Sequence, residues 1–117
     1  MTKNYFSKQE QACKCCGQGG FKPEFLYILN KAREQAGIPF VINSGYRCEK
    51  HNKEVGGSNT SSHLKGIAAD IRCDDSSKRF NIIVALLEAG FTRIGIGKNF
   101  IHVDDDKEKA QGVIWLY

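Results

Sequence analysis

Apolar residues recur along this chain with two different periods, and the switching between them predicts a mixture of helices and strands. Over residues 22–35, Phe25, Leu26, Ile28, Leu29 and Ala32 form an apolar stripe at helical spacing, with Pro23 suited to a first turn and Gly37 to the stop. A second helix is predicted over residues 76–89, where Phe80, Ile83, Val84 and Leu87 supply the apolar set and Gly90 ends it. Residues 40–43 read as a short strand after Pro39, and residues 67–72 as another. In the latter, Ala68, Asp70 and Arg72 share one face while Ala69 and Ile71 share the other. Residues 91–96 and 100–104 are predicted to form a hairpin turning near Gly97, Lys98 and Asn99, with Phe100, His102 and Asp104 on one face of its second arm. A final strand is expected over residues 112–117, a short helix over 48–55, and a polar loop over 58–62 that leads to His63. Residues 1–20 read as an irregular arm ending in Cys16-Gly-Gln-Gly-Gly20.

A chain of 117 residues suffices for one domain and not two, so the expectation is one unit over residues 1–117. Hydrophobic residues at 41% argue against disorder over most of the length. The 17 basic and 13 acidic residues leave a net charge of +4, which favours anionic surfaces in general. The basic residues are dispersed and no recognition module is visible, so nucleic acid is set aside as a partner. No apolar run approaches a membrane span or a signal peptide. Synthesis in the cytoplasm without ordinary secretion is therefore expected, together with a monomer and no membrane insertion.

Five cysteines are many for this length. Cys13, Cys15 and Cys16 cluster, while Cys48 and Cys73 stand apart. The odd number and the missing signal argue against a complete disulfide framework. Three readings stay open: reduced thiols packed near the core, a structural zinc site if the loop folds back on itself, or a disulfide from Cys13 or Cys15 to a distant partner.

His63, Asp70 and His102 carry the most chemistry. Two imidazoles and a carboxylate are donor types of a catalytic zinc site that leaves a vertex for water. The seven-residue step from His63 to Asp70 lets loop and strand present both on one side, and the hairpin can bring His102 across the sheet. Separate roles as surface or hydrogen-bonding groups fit the periodicity as well.

Ser44-Gly-Tyr-Arg47, His51-Asn52, Gly56-Gly57, Ser61-x-His63-Leu-x-Gly-x-Ala-x-Asp70-Ile and Phe100-Ile-His102-Val-Asp104 together resemble the zinc D,D-peptidase superfamily. That superfamily also contains L-alanyl-D-glutamate endopeptidases, and the resemblance is greatest to its small phage and prophage cell-wall peptidases. It spans Phe6 to Asp104. The resemblance implies an α+β domain whose antiparallel sheet carries Zn2+ on His63, Asp70 and His102, with the peptide portion of peptidoglycan as substrate. Cleavage would then follow once another protein opens the membrane, as in an endolysin. Which bond is cut, as carboxypeptidase or endopeptidase, is left open.

Within that resemblance Arg47 is a candidate for catalysis and substrate binding, donating to a substrate carboxylate or developing oxyanion, against a purely bracing salt bridge to the Asp70 region. Asn99 stands where some relatives carry an acid, three positions before the last histidine ligand. Asp104 is the alternative base, its rival role being to hold a ligand histidine from behind. Ser61 is read as a loop-bracing or substrate-positioning hydroxyl. Tyr46 could line the substrate site and help stabilise the oxyanion or pack under Arg47, and His51, ranked below His63 and His102 as a ligand, shapes the pocket or caps local backbone. Trp115 and Tyr117 read as core or edge packing ahead of a carbohydrate-facing patch. Two other classes compete: a non-catalytic, zinc-stabilised wall-binding module, and a cysteine-rich structural protein whose metal sits on the amino-terminal cluster.

Overall fold

Alternation along the strands divides the sheet into an apolar face and a polar face, and this division organises the fold. The computed structural model describes residues 3–117. Its strands are β1 (Ile42–Ser44), β2 (Ala68–Arg72), β3 (Arg93–Ile96), β4 (Phe100–Asp104) and β5 (Val113–Leu116), in the order β1-β2-β4-β3-β5. All neighbours are antiparallel except β3 and β5. The helices are α1 (Lys8–Gln11), α2 (Pro23–Ala36), α3 (Glu49–Glu54) and α4 (Ser76–Ala89), and a 3₁₀ turn spans Ser62–Lys65. The architecture is α+β.

Ile42, Ala69, Ile71, Ile94, Ile101 and Val103 point to the apolar face, where Phe25, Leu29 and Ala32 of α2 and Ile82, Ala85 and Leu86 of α4 bury them. Phe25 anchors the layer, in edge contact with Phe21 at 5.0 Å and Phe91 at 5.7 Å between ring centroids. Both long helices end on a left-handed glycine, Gly37 (φ 69°) and Gly90 (φ 115°), where a side chain would be strained.

The structure departs from the sequence reading in four places. The first strand begins two residues later than expected, at Ile42, although the Val41 carbonyl already accepts from the Arg72 N–H of β2 at 2.8 Å. The helix over Ser76–Ala89 has the expected bounds but a different buried face: Phe80 is 73% and Leu87 45% exposed, while Ile82, Ala85 and Leu86 are buried. Residues 82, 85, 86 and 89 are as well spaced as 80, 83, 84 and 87, and only the fit against α2 and the sheet chooses between them. The arm over residues 1–20 is partly ordered. Ser7 and Glu10 form a reciprocal capping box on α1, and Phe6, Gln11, Ala12 and Cys13 are buried. Finally, the loop expected over residues 58–62 gives way at Ser62 to the 3₁₀ turn, so His63 sits inside an ordered element. Residues 1 and 2 of the predicted arm lie outside the described residues.

The orientation of α4 is open to a direct test by denaturant unfolding. Ile82→Ala is expected to cost about 2–5 kcal/mol, as for a fully buried isoleucine. Phe80→Ala is expected to stay within about 0.5 kcal/mol of the parent. Reversed magnitudes would show that the other stripe faces the core.

Candidate metal centre

The polar face of the sheet carries Asp70 and His102 as direct register partners across β2 and β4. His63 arrives from the 3₁₀ turn. Ser61 caps that turn by accepting from the His63 N–H at 3.2 Å, and Gly66 ends it in a left-handed conformation (φ 73°) against the Gly20 carbonyl. Ser62 ties the turn to the segment after β4, donating to Asp106 Oδ2 at 2.8 Å. One ligand atom from each of His63, Asp70 and His102 lies within 4.8 Å of the others.

The outer nitrogen of each imidazole is fixed by a partner. His63 Nδ1 lies 2.8 Å from the Gly45 carbonyl oxygen, which can only accept, so Nδ1 carries the proton and Nε2 presents a lone pair. His102 Nε2 lies 2.7 Å from Asp104 Oδ2, which likewise turns Nδ1 inward. These inward nitrogens approach the same oxygen, Asp70 Oδ1, at 3.3 Å for His63 and 2.9 Å for His102. Three electron-pair donors thus converge on one point, and only a cation or a shared proton relieves their repulsion. With arms of about 2.0–2.1 Å, a tetrahedral zinc ion needs ligand separations of about 3.3–3.4 Å. The donor set fits a metal.

Charge in the site follows the same geometry. Burial pushes the Asp70 carboxyl upward, but His102 and His63, when they carry the shared proton toward it, outweigh burial and hold the group well below the usual carboxylate range. Burial works against a charged His102, yet Asp104 and Asp70 prevail and raise its pKa. Asp104, 1% exposed, has its pKa lowered: burial is overcome by His102, by Arg93 Nε donating at 2.7 Å, and by the Asp106 N–H at 3.1 Å. Both Asp104 oxygens are therefore engaged.

Arg47 stands beside the triad. Its guanidinium donates to Asp70 Oδ2 (3.3 Å), Ser44 Oγ (3.0 Å) and Asn52 Oδ1 (3.3 Å), and its own N–H donates to the His63 carbonyl at 3.1 Å. Gly57 permits this closeness, since a Cβ there would strike Asn52 and come within 3.1 Å of Arg47 Nη1. Three of five donors are used, which leaves two to meet an incoming carboxylate. The cleft over the triad measures about 380 Å³ and is walled by Arg47, Ser61, Phe100, Trp115 and Tyr117.

Tyr46 and His51 are absent from this wall. Tyr46 packs on Gly19 and borders a separate depression with Phe21 and Pro23, so the substrate-facing role expected for it is not supported by its position. His51 lies on α3, its N–H donating to Cys48 Sγ at 3.4 Å. Asn99 is exposed in the hairpin turn, its carbonyl accepting from Cys73. Trp115 lies on the edge strand β5 and Tyr117 just beyond it, packed on Gly95, Phe100 and Arg93, and both also face the cleft, the indole 5.5 Å from the His102 ring. Gly95, paired with Trp115, makes room for it, because a Cβ there would lie 2.6 Å from the indole nitrogen. The sequence signal was available, since Val113, Trp115 and Tyr117 alternate like the site face of β4. Arg93, Ser62 and Asp106 support the ligands and escaped the sequence reading, having no motif of their own.

A family model described as Peptidase M15 matches residues 4–104 of the chain. No curated protein matches it.

Asp106 gives a pH-dependent test of the turn that holds His63. Burial pushes its pKa up, but Ser62, Lys65 and the Glu108 N–H lower it overall. A depressed folded pKa contributes stability above the unfolded value near 3.9, and loses it as pH falls through the folded value. Asp106→Asn is expected to cost about 1–3 kcal/mol at neutral pH. The gap from the parent should close as pH falls below about 4 and through the depressed folded value. A gap that stays constant in acid melts would contradict the ionised, hydrogen-bonded Asp106.

Proposed function

This chain belongs to the Peptidase M15 family, a metallopeptidase family, and we propose that it uses zinc to hydrolyse peptide bonds in the peptide portion of bacterial peptidoglycan. The convergence of His63 Nε2, Asp70 Oδ1 and His102 Nδ1 supports this reading most directly. A zinc ion held there would lower the pKa of a bound water to about 7 and polarise the scissile carbonyl. The chain's own groups do the rest. His63 and His102 are kept in the metal-binding tautomer by the Gly45 carbonyl and by Asp104. Arg47 offers its spare N–H donors to a stem-peptide carboxylate or to the oxyanion. Ser61 braces His63 at the cleft edge. Trp115 and Tyr117 form an aromatic wall that orients the peptide and keeps bulk water from one side.

Asp104 holds His102 in place in this scheme, and its two occupied oxygens are poorly placed for duty as a free base. Among the described residues, the only carboxylates lining the cleft are Asp70 and Asp104. That scarcity favours, as a second reading, a module that binds zinc and wall peptide without turning it over.

Mass spectrometry of defined muropeptides separates the two. New peptide ends should appear with the zinc-loaded chain, disappear with a chelator, and fall to background in His63→Ala. Retention of muropeptide without any cleaved product would establish the binding module instead. Asp104→Asn should weaken zinc binding about 10–100-fold, read by competition with a chromogenic chelator. An unchanged affinity would remove Asp104 from the role of holding His102.

A further inference from the structure

A second group of potential ligands lies outside the cleft, where the amino-terminal arm meets the start of α3. Cys13, Cys15, Cys16 and Cys48 bring their sulfurs within 4.8 Å of one another, although Cys48 is separated from the others by more than thirty residues. Three of the separations are 3.5 Å (Cys13 to Cys15), 3.6 Å (Cys13 to Cys48) and 3.4 Å (Cys15 to Cys48). A tetrahedral zinc ion with arms of about 2.3 Å to sulfur requires edges of about 3.8 Å. The measured triangle is close to that and nearly equilateral, so no pair is singled out for a disulfide.

Local backbone structure produces this convergence. Between Cys13 and Gln18 the chain closes a tight loop, with Cys13 N–H donating to the Gln18 carbonyl at 2.9 Å and Gly17 N–H to the Cys13 carbonyl at 2.8 Å. Gly17 takes the left-handed conformation (φ 71°) this loop needs. Cys48 sits at the start of α3 and accepts from the His51 N–H at 3.4 Å, while Cys13 Sγ accepts from the Cys48 N–H at 3.5 Å. Amide N–H groups aimed at sulfur stabilise thiolate over thiol.

The geometry points to a second metal site, a structural tetrathiolate formed by Cys13, Cys15, Cys16 and Cys48 that takes a zinc ion and fastens the amino-terminal arm to the segment carrying Arg47. It is independent of the cleft and its proposed chemistry. On binding, each thiol proton still present leaves to solvent as a metal–sulfur bond forms, with no change of oxidation state. Four soft sulfur donors in a tetrahedral arrangement select zinc over magnesium or calcium. Cys15 also lies near His51 and Glu54, but that group has a single sulfur. The arm is already tied to this segment by the Tyr46 N–H donating to the Gln11 carbonyl at 2.9 Å, and a metal would close the connection two residues further on.

The full chain carrying His63→Ala removes a ligand of the cleft and isolates the second site. After expression with zinc and removal of loosely bound metal, it should retain about one zinc ion per chain by elemental analysis. Its cobalt form should show the intense sulfur-to-cobalt charge-transfer absorption in the near ultraviolet, and Cys15→Ser with Cys16→Ser should abolish that absorption. Both cysteines are exposed, so circular dichroism should show the double variant still folded. A measurement on the unmutated chain guards against misfolding: alkylation of Cys13, Cys15, Cys16 and Cys48 should be slowed at least tenfold by zinc and restored by a chelator. Absence of charge-transfer absorption, equal alkylation with and without zinc, or an intact mass showing disulfides among these four would each overturn the assignment.

Discussion

The site depends on three lone pairs being forced together. His63 Nε2 and His102 Nδ1 both face Asp70 Oδ1 within 3.3 Å, an arrangement a folded chain keeps only if something positive shares the point. The surrounding hydrogen bonds enforce it. The Gly45 carbonyl and Asp104 each claim the outer nitrogen of a histidine, so neither ring can relieve the crowding by changing tautomer without breaking a buried bond. Protonation of His102, favoured by its two carboxylates, is the alternative to metal. Metal affinity is therefore linked to pH, since the cation must displace that proton.

The sheet makes this possible by keeping its faces separate. On β2 and β4 every second residue enters the core formed with α2 and α4, and of those between, Asp70, Phe100, His102 and Asp104 line the cleft. A one-residue slip of β4 against β2 would carry Ile101 and Val103 out of the core and His102 into it. Burial of the apolar face thus fixes the register that sets Asp70 opposite His102. Stability and site geometry come from the same alternation.

Alternation and motif spacing made the antiparallel hairpin, the two long helices and the positions of His63, Asp70 and His102 legible before any coordinates. The buried face of α4 was not legible, because its sequence offers two stripes and only tertiary packing distinguishes them. The order in the arm was missed for a different reason. Its polar and glycine-rich composition reads as loop, yet Phe6 and Cys13 are buried by residues far away in sequence. Asp106 and Arg93 were invisible because their work is to hold other side chains, which carries no spacing of its own. Trp115 shows the converse: its alternation with Val113 and Tyr117 was visible, but whether that face met core or cleft depended on Gly95 in the neighbouring strand.

The position of Arg47 connects these elements. Its guanidinium is set by Asp70, Ser44 and Asn52, and its backbone by the His63 carbonyl, so it is fastened to both ends of the motif that supplies two candidate ligands. The next residue, Cys48, belongs to the sulfur cluster, and the preceding one, Tyr46, is bound to the arm through Gln11. A guanidinium can orient a substrate carboxylate only if its own chain segment does not drift, and this segment is too short and irregular to be rigid alone. The arm holds this segment at two points, the Tyr46 N–H on the Gln11 carbonyl and Cys48 against Cys13. Its cysteines gather on Cys48, the residue after Arg47, so the arm meets the chain where this irregular segment delivers a charge to the cleft.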